Sequence, residues 1–214
     1  YAIRQEDLEG NVKMKMAGPA EFFHDMEEQG GPVNTYVGEL YFSAHRGTYT
    51  SQAMIKQNNR RSELAMREME LWSSIALEKG MEYDLPRADA LWKELLLNQF
   101  HDILPGSSIA KVYVEAEEAH HALQNSAEEM KEKALAALTQ QKDGQAVTVW
   151  NSLSFERQAL VELPERFQKG ARTNAGEEVP VQTVDGKVKA LVNLPSCGAI
   201  ALVPSQEADG AKDT

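Results

Sequence analysis

The chain has 214 residues, with 22 Lys and Arg against 33 Asp and Glu, which gives a formal net charge of −11. That length is enough for about one or two domains with a hydrophobic core. The acidic balance argues against a general nucleic-acid binder and against binding to anionic membranes, because both need a basic surface. No apolar run approaches the ~20 residues of a membrane helix. The single cysteine, Cys197, fits a reducing compartment, and we predict a cytoplasmic protein.

Three zones of the chain differ in residue composition and in the spacing of apolar residues. Residues 1–36 show no clear period, and because the chain starts at Tyr1 rather than Met, we expect it to be a piece of a longer protein. Residues 37–142 carry long stretches of helical period, and residues 146–204 consist of short apolar runs separated by Gly, Pro and Asn.

The helical zone predicts three helices, at about residues 51–77, 86–101 and 107–138. A hydroxyl side chain is expected to cap the first helix (Thr48, Thr50 or Ser51) and the third (Ser107 or Ser108). The apolar positions at helical spacing, which we expect to be buried, are Leu64, Leu71, Trp72 and Ile75, then Leu91, Trp92, Leu95, Leu96 and Phe100, then Ile109, Val112, Ala116, Ala119, Leu123, Ala127, Met130, Ala134 and Leu138. Short connections between the helices predict an antiparallel three-helix bundle.

The last zone predicts five strands, at residues 146–150, 158–163, 179–184, 187–194 and 199–203. Asp185-Gly186 lies between two β-rich runs and predicts a hairpin. The expected fold class is therefore α+β, an antiparallel three-helix bundle followed by a partial antiparallel β-sheet or sandwich.

His101-Asp102 is the strongest local candidate for chemistry. The pair lies where an apolar helix breaks before Pro105-Gly106, and an imidazole beside a carboxylate suits a metal ion or a sugar hydroxyl. A histidine at a helix C-terminus is equally explained by a favourable contact with the helix dipole. The chain contains no phosphate-binding Gly-rich loop and no HExxH, CxxC or GxSxG motif.

Three other polar segments are candidates for a functional or a structural role. Residues 45–52 form either the polar rim of a ligand pocket or the cap of the first helix. Residues 58–63 are interpreted as helix-face charge with buried pairing. His120 and His121 point about a hundred degrees apart on a helix, so they cannot bind one ion together, and we predict that both lie on the solvated surface.

Four segments carry a resemblance to a known family: Gly38-Glu39-Leu40-Tyr41, residues 45–52, residues 59–63, and Asn98 through Ser108. In order and spacing they resemble glycoside hydrolase family 38, the retaining α-mannosidases, and the wording is closest to the bacterial branch. The resemblance covers about residues 32–204. It implies the end of an N-terminal catalytic domain at 1–36, the helical middle domain at 37–142 and the start of a C-terminal β domain at 143–214.

The resemblance also implies a zinc cofactor and an α-mannoside substrate. Family members bind one zinc with a His and an Asp of the N-terminal domain, the nucleophilic Asp and one His of the middle domain. That middle-domain metal ligand matches His101. The adjacent Asp102 matches the acid that contacts the mannose hydroxyls, and Tyr49 is a second candidate for substrate binding. The nucleophile and the acid/base belong to the N-terminal domain, so no catalytic residue is assigned in this chain, which alone is expected to be inactive.

Two alternatives stay open. The same fold could hydrolyse a phosphorylated mannosyl-glycerate. The residues that bind the phosphate would lie mostly in the N-terminal domain, so this chain does not discriminate between the two substrates. The chain could instead be a helical interaction module without chemistry. Expected partners are the carbohydrate and the N-terminal catalytic domain of the same chain, with neither nucleic acid nor membrane, and a homo-oligomer stays open.

Overall fold

A computed structural model of the chain describes residues 4, 6–31, 34–40, 42–139 and 145–205. Contacts between Cα atoms divide the chain into two units, Tyr1–Arg46 and Gly47–Thr214. The predicted domain boundary at residues 142–143 lies outside the described residues, and the one at residues 36–37 stays a prediction.

The first unit contains helix α1 (Pro19–Glu28), which begins with Pro at its first position and buries no side chain. Proline suits that position because its missing N–H would have no partner in the first turn. A short 3₁₀ turn at Ser43–His45 follows. The rings of Phe22 and Phe23 lie edge to face, with centroids 5.4 Å apart.

The second unit opens with three long helices, α2 (Ala53–Glu78), α3 (Leu85–Asn98) and α4 (Ala110–Leu138). Asp84 caps α3 by accepting a hydrogen bond from the backbone N–H of Arg87 at 3.0 Å. The caps predicted for the other two helices are wrong. Their N-cap residues are Gln52 and Ile109, and neither makes a side-chain cap hydrogen bond.

The three helices share an apolar core. Its buried members are Met66 and Met69 of α2, Ala88 and Leu95 of α3, and Leu123, Ala127 and Met130 of α4. The periodicity located the buried faces only approximately, since Leu64, Leu96, Phe100 and Ile109 are exposed. Small and flexible side chains let the helices approach closely, so packing rather than the bulk of each apolar residue selects the buried positions.

His120 corrects a prediction. It is fully buried, and its Nδ1 lies 2.9 Å from the Ser62 hydroxyl, whereas the adjacent His121 is exposed. The angle between successive helical side chains is the reason, since it turns one imidazole into the helical core and the other to solvent. The expected surface position therefore holds for His121 only.

Within residues 145–205, seven antiparallel strands follow the helices. They are β1 (Val147–Asn151), β2 (Arg157–Leu163), β3 (Ala171–Thr173), β4 (Glu178–Val179), β5 (Val181–Val184), β6 (Lys187–Leu194) and β7 (Gly198–Pro204). They form a four-stranded sheet in the order β1-β7-β3-β4 and a three-stranded sheet in the order β2-β6-β5. The single strand predicted at 179–184 is divided at Pro180, where the chain passes from one sheet to the other. Proline has no N–H for a sheet ladder, which explains the break.

The two sheets share one apolar core. Its buried members are Leu163, Phe167, Ala171, Val188, Ala190, Val192, Leu194 and Leu202. The hairpin predicted at Asp185-Gly186 is confirmed between β5 and β6, and both residues have positive φ, 51° and 74°. Asp and Gly tolerate that conformation, and it matches the twist of the flanking strands.

The helices and the sheets of the second unit are in direct contact. The rings of Trp72 and Trp150 lie edge to face with centroids 5.1 Å apart, and the Ser152 hydroxyl donates to Glu68 Oε1 at 2.8 Å. Helices followed by antiparallel sheets confirm the α+β class. Among the residues that the structure describes, no helix is long and apolar enough to span a membrane.

Candidate functional site

Residues 99–108, called the site turn below, connect α3 to α4 and contain His101 and Asp102. The chain leaves α3 at Asn98 and continues through tight turns, with the amides of Ile103 and Leu104 donating to the Phe100 carbonyl at 2.9 and 3.1 Å. The Gly106 amide then donates to the Ile103 carbonyl at 3.1 Å. Pro105, just before Gly106, has no N–H and prevents the helix from resuming within this turn.

The His101 and Asp102 side chains project from this turn into solvent. Their side chains are 76% and 61% exposed, and His101 Nε2 lies 3.4 Å from Asp102 Oδ2. The Phe100 ring lies beside the imidazole, with centroids 4.2 Å apart and the planes tilted by 43°. Both polar groups are therefore accessible to a ligand, and an aromatic ring restricts the space on one side of the imidazole.

The segment before α2 lies directly against the site turn. Gly106 has a φ of +88°, and a Cβ at this position would come within 2.7 Å of the Ser51 carbonyl oxygen. The Lys56 ammonium donates both to that Ser51 carbonyl, at 2.6 Å, and to the Leu104 carbonyl, at 2.8 Å. Two sequence segments about fifty residues apart, 47–52 and 99–108, thus meet at one place.

A third segment holds the other end of the site turn. The Gln99 amide donates to Asn59 Oδ1 and to Glu63 Oε1, each at 3.0 Å. Asn59 also donates to Glu63 at 3.1 Å, and Arg60 pairs with Glu63 at 3.0 Å. Residues 58–63 therefore combine the pairing that the sequence indicated with an anchor for the site turn.

Tyr49 lies in the turn that precedes α2 and is 74% exposed. The amides of Thr50 and Ser51 donate to the Gly47 carbonyl at 3.0 and 2.8 Å, which fixes the backbone of that turn. Because Ser51 contacts Gly106, the turn with Tyr49 and the site turn belong to the same face of the second unit.

His45 belongs to the first unit. It ends the 3₁₀ turn at Ser43–His45, and its ring lies edge to face with Phe42, with centroids 5.0 Å apart. That contact gives His45 a local structural role.

The donor chemistry of this face fits one part of a zinc site. An exposed imidazole is a preferred zinc ligand, and a neighbouring carboxylate oxygen is compatible with the same ion. Within the described ranges, no group of at least three His, Cys, Asp or Glu side chains could hold a metal ion. A zinc ion at His101 would therefore take its remaining ligands from outside these residues.

Lys56 and Gln99 are the residues of this face that motif reasoning did not identify as functional. Gln99 lies two residues before His101, within a segment that carries the family resemblance. Nothing in the sequence distinguishes Lys56 from other helix residues. Burial lowers the pKa of the Lys56 ammonium. Its role emerges only from the two carbonyl oxygens that the fold brings to it.

A groove of the second unit lies elsewhere, between α2 and α3. It is lined by residues that include Leu71, Tyr83 and Trp92, and none of its lining residues belongs to the site turn. The Trp92 indole N–H donates to Glu70 at 2.7 Å in this groove. The groove and the His101–Asp102 face are therefore separate features.

Comparison with known proteins gives a consistent result for the middle of the chain. Residues 43–138 match the family model described as the alpha mannosidase middle domain. Over 164 residues the chain is 34% identical to human alpha-mannosidase 2C1, and the alignment covers 75% of this chain and 16% of that protein. Over 115 residues it is 41% identical to alpha-mannosidase G of Dictyostelium discoideum, covering 54% of this chain and 11% of the relative.

A solved structure extends the likeness of fold to most of the chain. A crystal structure of a protein in glycosyl hydrolase family 38 from Enterococcus faecalis aligns with 94% of this chain and 30% of that one, with a TM-score of 0.58 and 16% identity. The chain thus spans only a small part of the relatives that it matches. The chain carries an alpha mannosidase middle domain at residues 43–138, and the findings together support a fragment of a glycoside hydrolase family 38 α-mannosidase.

Proposed function

We propose that this chain works as part of a zinc-dependent, retaining α-mannosidase, in which His101 supplies one zinc ligand and Asp102 contacts hydroxyls of the bound mannose. The observation that carries the proposal is the meeting of residues 47–52 and 58–63 with the site turn, in a chain of the α-mannosidase family. Long-separated segments that converge on an exposed imidazole–carboxylate pair are more readily explained by a ligand site than by stability alone.

His101 would hold the metal through its exposed imidazole. Zinc, when bound, supplies an electrostatic anchor that orients sugar hydroxyls and stabilises developing charge. Asp102 would accept hydrogen bonds from those hydroxyls, since an ionised carboxylate accepts and does not donate. Tyr49, exposed on the same face, offers a phenol that can contact the sugar ring or its hydroxyls.

The reacting carboxyl groups are not assigned in this chain. A retaining glycosidase uses two carboxyl groups about 5 Å apart, one as nucleophile and one as acid/base. We propose that both belong to an N-terminal catalytic domain, together with the remaining zinc ligands. The role of residues 37–142 is then to complete that active site from one side, as an antiparallel three-helix bundle between the catalytic domain and a β domain starting near residue 143.

Replacing Asp102 tests the substrate contact. In the intact enzyme, Asp102→Asn should lower kcat/KM for an α-mannoside about 10- to 100-fold, the value expected for a lost charge-assisted hydrogen bond. The matched control is Asp89→Asn, because Asp89 is an exposed carboxylate on α3 that pairs with Lys93 on the surface. Equal activity of both variants would exclude Asp102 from substrate binding.

The isolated 214-residue chain provides a second test. It should show no mannosidase turnover, because the proposed nucleophile and acid/base are absent from it. Turnover of an aryl α-mannoside by this chain alone would refute the proposed division of labour. Assays of the intact enzyme with plain and phosphorylated mannosides then identify the substrate class, and activity on neither would favour a helical interaction module.

We also propose that the enzyme works in the cytoplasm. The support is the single cysteine of this chain, Cys197, which is free and exposed, as is common in a reducing compartment. Fractionation of the native cells tests this, and recovery in a secreted or membrane fraction would contradict it.

A further inference from the structure

Lys56 is a lysine with an unusual set of partners. Its ammonium donates to two backbone carbonyls, Ser51 at 2.6 Å and Leu104 at 2.8 Å. One carbonyl precedes α2, and the other lies two residues after Asp102. A single side chain therefore joins the segment with Tyr49 to the turn with His101 and Asp102.

A surface lysine usually keeps its ammonium in water, whereas Lys56 turns its ammonium to two backbone carbonyls. Burial lowers the pKa of the Lys56 ammonium, so the charged form gives up some hydration to reach these carbonyls. Lys56 is half-buried, and its ammonium is compensated by the carbonyl oxygens of Ser51, which precedes α2, and of Leu104 in the site turn.

The backbone around the contact is built for a close approach. Any side chain on Gly106 would collide with Ser51, because a Cβ would lie 2.7 Å from its carbonyl oxygen and 2.9 Å from its Cβ. The site turn is closed further by the Ser108 hydroxyl, which donates to the Asp102 carbonyl, and by Tyr113, whose hydroxyl accepts from the Ser108 amide. The backbone of the site turn is thus bonded on its inner side.

The other end of the turn is fixed independently by Gln99, which donates to Asn59 and Glu63. Between these two anchors, the His101 and Asp102 side chains stay exposed. A fixed backbone with exposed side chains suits a binding site, because the backbone sets the direction of each side chain while its polar atoms stay available to a ligand.

We propose that Lys56 is a positioning residue for His101 and Asp102, acting by joining the Ser51 and Leu104 carbonyls and so fixing the backbone of the site turn. Its effect on metal binding and hydrolysis rests on the proposed function. Its effect on the turn itself does not, so the two can be tested apart.

The first arm of the test measures the turn alone. In the 214-residue chain, Lys56→Met keeps most of the side-chain stem and removes the ammonium. Amide exchange of Ile103, Leu104 and Gly106 should then become at least about tenfold faster, while that of α4 stays unchanged. Lys111→Met is the matched control, because Lys111 is an exposed lysine that pairs with Glu115 at 3.5 Å on the surface of α4. Unchanged exchange in the site turn would overturn the proposal.

The second arm measures the consequence in the intact enzyme. Zinc affinity should fall about 10- to 100-fold in Lys56→Met, the usual effect of losing a group that orients a metal ligand. Lys56→Arg, which can still donate to both carbonyls, should recover most of the affinity. If the turn loosens but zinc affinity and kcat/KM match the wild type, Lys56 is structural and the proposal is wrong.

Two further outcomes separate the hypotheses. If the wild-type enzyme binds no zinc and cleaves no mannoside, the proposed function fails, and the exchange measurement still decides whether Lys56 holds the turn. If Lys56→Met unfolds the helices, Lys56→Gln, which has a shorter side chain and no ammonium, replaces it. Lys56→Gln should speed exchange in the site turn by a similar factor, and wild-type exchange in that variant would contradict the proposal.

Discussion

Among the described residues, the helical region buries six polar side chains and the β region buries three. The buried polar residues of the helices are Asn58, Asn59, Ser62, Ser73, Asn98 and His120. Those of the β region are Asn151, Thr173 and Ser205, and they lie where turns and strand ends need hydrogen bonds. The buried polar residues of the β region thus serve turns and strand ends, whereas those of the helical region include Asn59, which accepts a hydrogen bond from Gln99 of the site turn.

Hydrogen bonding sharpens the contrast. Asn151 donates to the carbonyls of Phe155 and Pro195 at 2.9 and 2.8 Å. In the helical region, the Asn58 amide, the Ser73 hydroxyl and His120 Nε2 have no hydrogen-bond partner among the described residues. A buried polar group without a partner destabilises a fold. The helical interior therefore contains polar groups whose hydrogen-bond partners the described residues do not supply.

The largest effect is expected in the β core. Phe167 is fully buried between the two sheets, so Phe167→Ala should lower the free energy of unfolding by about 3–5 kcal/mol through lost burial and a cavity. Urea unfolding monitored by circular dichroism measures this. A change below about 1 kcal/mol would show that the β core is not tightly packed, and the comparison between the two interiors would fail.

The next effect compares two buried asparagines. Asn151→Leu should lower the free energy of unfolding by about 2–4 kcal/mol, because two carbonyls lose their donor. Asn58→Leu, at a position where the amide has no partner, should change it by less than about 1 kcal/mol or raise it. The same unfolding experiment serves both variants, and a larger loss for Asn58→Leu would reverse the contrast.

A smaller effect concerns pH and His120. Burial lowers the pKa of this imidazole, with the nearby His121 acting in the same direction and Glu94 in the opposite one. The folded state therefore binds a proton less readily than the unfolded chain. The stability that neutral His120 contributes is fully present above about pH 6.5. It is lost as the pH falls toward the folded pKa, by at most about 1.4 kcal/mol per pH unit.

His120→Leu tests that prediction, because it removes the titrating group without leaving a charge. The loss of stability between pH 7 and pH 5 should be smaller in this variant than in the wild type, and His121→Leu, altered on the exposed face, should follow the wild type. Identical pH profiles for His120→Leu and the wild type would show that His120 does not titrate differently in the folded state.

The sequence predicted features whose cause is local. Asp185-Gly186 predicted the hairpin because the turn type depends on those two residues. The change from a helical to a strand pattern of apolar residues predicted the α+β class. Helix positions that depend on packing were harder. Leu64 was expected inside and is exposed, and His120 was expected outside and is buried, because the close approach of three helices selects the face.

The site shows the same division. Motif resemblance pointed to the segments that meet at the site turn, and the fold brings residues 47–52, 58–63 and 99–108 together. Lys56 could not be found from the sequence, since its two partners are backbone carbonyls in different segments. The roles of His101, Asp102 and Tyr49 stay predictions, because the ligands that would test them come from outside the described residues.

The zinc content of the intact enzyme tests the central claim most directly. Mass spectrometry of the metal should find about one zinc per chain in the wild type and a similar value in His121→Ala, where an exposed histidine of α4 is removed. In His101→Ala the zinc content should fall well below that level after dialysis, because the site has lost one of its ligands. Full zinc occupancy in His101→Ala would contradict the account.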